Sequence, residues 1–396
     1  MPPLARVGAF WFVYMGALGI FFPFFGLYLR ESAGLSGFEV GVVVSMLPLV
    51  GLAMQPLWGQ LADRSGERAR VLAGLVAAGG VAQLGLGIAD GFPAILLATA
   101  IAAVFWTSVM PMSLSVSLAI LRSEGIHAFG IARACGTVGY LVFVVAFPPL
   151  LAAAFGSAPP GKAPPGLVWM FPSVTGVALV AALLALRLPR EGAVAIRARR
   201  GGLADLLRHP PMLRMLVYSF FAYFFVNGPI QLFPLFVQSL GGGIDDLSRM
   251  WIWMVALEVP LLVFSGRLLA RLGSRSLLLF GAIAAGLRWS GSSFADDLAV
   301  ATALGLLHGA VVTGLGIGAS LYVEEAVPEP LRSTGQALLA TVGIGAGGIA
   351  SNLVAGWLFD HVGSRATYLA CGIGALALGA LTFAILPTPA RPERTA

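Results

Sequence analysis

The apolar runs of this sequence are too long and too many to be packed inside a water-soluble fold. A helix needs about 20 mostly apolar residues to cross the hydrocarbon of a bilayer, and stretches of that length follow one another along the whole chain. The run at about 93–120 carries no charged residue at all. Of the 396 residues, 58% are hydrophobic and only 11% charged, whereas an ordinary soluble domain holds about 25% charged residues. No soluble interior takes up that much apolar surface. The expectation is an all-α integral membrane protein, because lipid offers backbone groups no partner and each helix must satisfy its own.

Spans are expected at about 7–29, 38–61, 70–89, 93–120, 129–154 and 168–187, then at about 212–238, 247–269, 276–294, 298–322, 333–358 and 364–386. That makes twelve transmembrane helices in two six-helix halves, residues 1–187 and 212–396. The charged segment 188–211, within RLPREGAVAIRARRGGLADLLRHPP, reads as a linker between them. With both termini cytoplasmic, about 18 of the 24 Arg and Lys face inward and about 4 face outward, as the positive-inside rule requires. The expected location is therefore the cell inner (plasma) membrane, crossed many times. The first apolar run continues without a small-residue cleavage site, so it reads as a retained helix.

Charge and cysteine content exclude other classes. The net charge of +6 is spread over the loops and marks topology rather than a nucleic-acid surface. Cys135 and Cys371 fall inside expected spans and imply no disulfide framework. The sequence contains no Walker A loop, H-E-x-x-H, G-x-S-x-G or Cys/His cluster. Neither an ATP-driven pump nor an enzyme is expected, and no cofactor or metal. The expected partners are the lipid bilayer, a small-molecule substrate and protons, with the protein acting as a monomer.

The two halves repeat each other. GQLADRSGERARVL at 59–72 aligns with GRLLARLGSRSLLL at 266–279, and FPFFGLYL at 22–29 aligns with FPLFVQSL at 233–240. Both matches have an offset of about 210 residues. Paired halves of this kind are how many secondary transporters are built, with a substrate site near mid-membrane. Gly59, Asp63, Arg64, Gly66 and Arg68 match G-x3-D-R-x-G-x-R, the loop after the second span in the major facilitator superfamily, and the chain resembles that superfamily over its whole length. The resemblance implies the major facilitator fold and a gating role for the loop. Physically, the glycines allow a tight turn, and Asp63 with the arginines can pair to hold one face closed. A plainer account makes the arginines cytoplasmic anchors.

An ionisable side chain at bilayer depth costs roughly 2.5–3.5 kcal/mol, so each one needs a reason. Glu258, in MWIWMVALEVPLLVF at 250–264, lies about 15 Å from either surface by helical rise. His308 lies about 16 Å deep, and Arg288 about 12 Å from the outer surface. Arg288 has the alternative of snorkelling outward beside Trp289, and His308 that of a neutral histidine bonded to a neighbouring helix. A buried carboxylate must be paired or protonated. A Glu258 that meets Arg288 in one conformation and is freed in another would take up and release a proton as the protein moves.

LEV at 257–259, LRW at 287–289 and LLH at 306–308 resemble segments of the phenylpropionate-permease branch of the superfamily, which is related to nucleoside and lactose proton symporters. GSSFA at 291–295 is similar to the lactose permease in that region, FGIARACGTVGY at 129–140 to the FGRARxxGxVGW type of fifth span, and PMSL at 111–114 to the PLxD element of the fourth. The resemblance implies proton coupling at Glu258 and His308, and substrate binding at Arg133 and Arg288, with Tyr140 in place of a stacking aromatic. Three departures stand out. Ile131 replaces the first arginine of R-x-R, Leu114 an aspartate, and Val311 a further glutamate. Asn227 and Gln231 lie one turn apart in the aromatic segment SFFAYFFVNGPIQLFPLF and are expected to line the cavity. The function expected is proton-coupled symport of a small organic solute, an aromatic carboxylate first. A nucleoside or sugar symporter, an uncoupled facilitator, a proton-driven exporter and a non-transporting receptor or scaffold are the alternatives.

Overall fold

The computed structural model describes residues 2–124, 126–157, 159, 162–189 and 206–388, so most of the expected linker at 188–211 lies outside the described residues. Described residues form helices and loops and no strands. The chain divides into two compact units, Met1–Ile196 with Gly241–Arg249, and Arg197–Leu240 with Met250–Ala396. Nine helical runs among the described residues are long and apolar enough to cross a membrane. One of these, Arg332–Ile385, covers two of the expected spans.

The first unit contains α1 (Pro3–Leu27), α2 (Gly37–Ser65), α3 (Arg68–Ile88), α4 (Gly91–Ile120), α5 (Ile126–Phe155) and α6 (Met170–Leu186). Local chemistry sets several of the ends. Ser36 Oγ accepts from the Glu39 amide at 3.2 Å while the Glu39 carboxylate accepts from the Ser36 amide at 2.9 Å, a reciprocal capping box that starts α2. Gly66, at φ 67°, ends it in the left-handed region that glycine enters without steric cost. Small residues then let the helices close. A methyl group at Gly19 on α1 would sit 2.5 Å from the Tyr140 carbonyl on α5, and one at Gly139 on α5 would collide with the Phe12 carbonyl on α1. In lipid, where apolar burial gives little drive, this close packing is what holds helices together. The Gly241–Arg249 segment joins this unit through Ser248 Oγ, which donates to the Val144 carbonyl at 2.7 Å.

The second unit contains α7 (Pro210–Gln231), α8 (Phe233–Ser239), α9 (Ile244–Ser293, in this unit from Met250), α10 (Leu298–Gly305), α11 (His308–Val311), α12 (Gly318–Ala326), α13 (Arg332–Leu339) and α14 (Gly348–Ile385). α9 and α14 each contain two helices meeting at a glycine, Gly273 (φ 76°) and Gly363 (φ 84°). The helix bearing His308 is irregular on both sides. Leu306 and Leu307 make tightened bonds to Ala303 and Leu304 before it, and Val312–Ile317 widens into a π-helix after it. Such irregularity concentrates at functional sites.

Candidate functional site

Arg288, near the end of α9, is 1% exposed. A guanidinium has five N–H donors and no acceptor, so burying it requires acceptors or aromatic faces around it. The second unit supplies both. Arg288 NH1 donates to His308 Nδ1 at 2.8 Å, and NH2 points at Met254 Sδ at 3.5 Å. The guanidinium carbon lies 4.2 Å from the Trp289 ring and 5.5 Å from the Phe233 ring. Because arginine can only donate, His308 Nδ1 must hold its lone pair, and the imidazole proton sits on Nε2. His308 is thus neutral here, its ring edge-on to Trp251 at 6.1 Å. Snorkelling does not describe Arg288, which stays inside.

Trp251, Met254 and Glu258 are spaced three and four residues apart, so they form one stripe along α9. Two members of that stripe touch the His308–Arg288 pair, and the half-buried Glu258 lies one turn beyond Met254. Val311, where the resemblance expects a second acid, is buried beside His308 on α11.

A second polar group joins α7 to α14. Asn227 Nδ2 donates to Asn352 Oδ1 at 3.0 Å, and the buried Asn352 amide nitrogen has no hydrogen-bond partner among the described residues. The Ser351 hydroxyl accepts from the Gly228 amide at 2.6 Å and donates to the Phe224 carbonyl at 2.5 Å. Those two backbone groups are the partners of one rung of a helix, so Ser351 binds α7 at both ends of that rung. A methyl at Gly228 would meet Ala355 at 2.5 Å, which is why the helices can approach this far. Tyr368 OH donates to the Pro229 carbonyl at 2.7 Å and its ring stacks on Phe236 at 4.6 Å. Gln231, half-buried, ends α7.

In the first unit, Arg133 on α5 is half-buried with its guanidinium carbon 4.9 Å from the Trp11 ring. Trp11 is itself fixed, its indole N–H donating to Ser117 Oγ at 2.9 Å. Arg133 sits about 10 Å into α5 from its start. Tyr140 is buried against α1 at Gly19. Ile131 is exposed and Leu114 half-buried, so neither replacement of an expected charged residue lies in the tightest part of the unit.

The loop between α2 and α3 has the local pairing its residues allow. Arg68 donates to Asp63 Oδ1 from Nε at 2.8 Å and from NH2 at 2.7 Å across the turn at Gly66. Arg64 and Gly59 lie on the last turns of α2, Arg64 exposed and Gly59 half-buried with nothing near it that a side chain would strike. Its counterpart in the second unit is held differently. Ser274 donates to Glu325 at 2.6 Å, and Arg275 reaches Thr388 at 2.6 Å and the Phe383 carbonyl at 3.1 Å.

Trp11, Ser117, Met254, Trp251, Ser351 and Asn352 were not singled out from sequence. The adjacent polar pair Ser351–Asn352 inside an apolar span was a readable signal. The others are ordinary apolar or small residues until their partners are known.

Comparison with known proteins fits this construction. Residues 4–370 match the family described as MFS_1 like. The chain is 29% identical to a maltose permease of Geobacillus stearothermophilus, covering 98% of this chain and 94% of that protein. It is 22% identical to a melibiose permease of Enterobacter cloacae subsp. cloacae, covering 94% and 89%. Its fold is shared with the nucleoside transporter NupG in a mutant form, with a TM-score of 0.87, 16% identity, and coverage of 98% and 100%. The chain belongs to the MFS_1-like family and is a multi-pass membrane transporter of the major facilitator type.

Proposed function

We propose that the protein is a proton-coupled symporter that moves a small organic solute by alternating access, as a monomer in the inner membrane with both termini cytoplasmic. The observation that carries this reading is the wholly buried Arg288 donating to His308. A transporter of an uncharged solute without ion coupling has no need of a cation fixed at that depth. In this reading Glu258 carries the proton. His308, neutral while Arg288 holds its Nδ1, receives a proton only when that bond is released. Arg133, Arg288, Asn227, Gln231 and Tyr140 face the solute, and the Asp63–Arg68 loop with Gly59, Arg64 and Gly66 acts as a gate.

An aromatic carboxylate suits two arginines that already lie on tryptophan faces. A second reading, an oligosaccharide such as maltose, is favoured by the likeness to a maltose permease along nearly the whole chain and by the amide-rich Asn227–Asn352 pair. Proteoliposomes under an imposed pH gradient separate the two when supplied with a labelled aromatic acid and with labelled maltose. Glu258→Gln is expected to cut gradient-driven accumulation by about 100-fold while exchange without a gradient continues. Undiminished accumulation in that variant would remove Glu258 from coupling.

A further inference from the structure

At the N-terminal end of α1, two arginines share a cavity of about 410 Å³ whose described lining is Arg6, Ala9, Leu184 and Arg187. Arg6 NH1 donates to the Arg187 backbone carbonyl at 3.3 Å, so the two residues are fixed side by side. Among the described residues neither forms an ion pair. Two like charges at one cavity repel each other, and an anion placed there relieves both. The start of α1 adds to the effect. It has Pro at its first position and no capping side chain, so no side chain offsets the positive end of the helix that carries Arg6.

The surroundings indicate the shape of the anion's carrier. Leu179, Leu183 and Leu186 on α6 are exposed and spaced four and three residues apart, so they form a single apolar strip leading up to Arg187. A compact anionic head over an apolar strip is the outline of an anionic phospholipid. The positive-inside rule requires only a surplus of arginine on one side. It does not require two to meet over one cavity.

We propose that Arg6 and Arg187 form a binding site for a phosphate-bearing anion, and that the headgroup of an anionic phospholipid is the source that fits the adjoining leucine strip. The site is separate from the Arg288 and Arg133 groups and does not depend on what the transporter carries.

The test uses the full-length protein in nanodiscs of phosphatidylcholine with added phosphatidylglycerol, followed by native mass spectrometry to count retained phosphatidylglycerol. A parallel arm titrates detergent-solubilised protein with inorganic phosphate and reads thermal stabilisation. The unaltered protein is expected to retain phosphatidylglycerol, and the double variant R6Q/R187Q to retain about tenfold less. Ala9→Trp, which fills the cavity and keeps both arginines, is expected to lose retention as well and covers the case in which the double variant does not fold. Stabilisation by inorganic phosphate that is lost in the double variant supports the site and assigns it to a soluble phosphate. Equal retention in the unaltered protein and Ala9→Trp, together with no stabilisation by phosphate, overturns the proposal.

Discussion

Arg133 and Arg288 both lie against a tryptophan, and the two units solve the pairing in opposite ways. In the first unit the ring is locked, because Trp11 donates to Ser117, and the half-buried Arg133 rests on its face. In the second the cation is locked, by His308, Met254 and two rings, while the buried Trp289 indole N–H has no hydrogen-bond partner among the described residues. The difference lies in what each arginine gives up when it moves. Arg133 leaves a ring that stays anchored without it. Arg288 leaves an imidazole nitrogen that must then find another proton.

The comparison breaks most visibly at Arg288. Arg288→Ala removes the only donor described on His308 Nδ1 and opens a cavity beneath two rings. It should cost about 3–5 kcal/mol, read as a lowered Tm in detergent, and abolish uptake. A variant with normal Tm and uptake would mean the second arginine is no more committed than the first. Next in size is His308→Leu, which leaves a buried guanidinium donor unmet at a cost of about 1–3 kcal/mol. His308→Asn keeps an acceptor near the Nδ1 position and should recover most of that loss. If Asn and Leu behave alike, the bond between Arg288 and His308 contributes little.

Arg133→Gln removes the contact with the Trp11 face, a cation–π interaction worth about 0.5–1 kcal/mol at an incompletely buried site. Its effect belongs in transport, where KM for an anionic solute is expected to rise about tenfold while a neutral solute is unaffected. A rise for both would assign Arg133 to packing instead. Smallest of all, Asp63→Asn removes an ion pair whose carboxylate is largely exposed, and should change stability by less than about 1 kcal/mol. Any larger change in transport than in Tm would then mark the loop as a gate.

Local features of the fold were legible because lipid imposes them residue by residue. The long apolar runs and the turn at Gly66 each follow from adjacent residues. Arg288 and His308 could be marked as costly from sequence, since a charge within an apolar run needs no knowledge of its neighbours. Their bond could not be read, nor could Trp11 as the seat of Arg133, since these depend on which helix faces lie together. The π-helix after His308 was also hidden. Val312–Ile317 has no residue type that demands a wider turn, and the glycines there fit close packing equally well, as the contact of Gly314 with Gly281 shows.

Ser351 gives the second unit a mechanical property that its contacts alone do not convey. Both partners of one rung of α7 are also held by a single side chain of α14, so the two helices are tied together at Phe224 and Gly228. If α14 slides by one residue, about 1.5 Å, Ser351 leaves both groups and α7 loses this tie to its neighbour. Motion along one helix axis is thereby transmitted to its neighbour, beside Asn227 and one residue before Pro229, which lies inside α7.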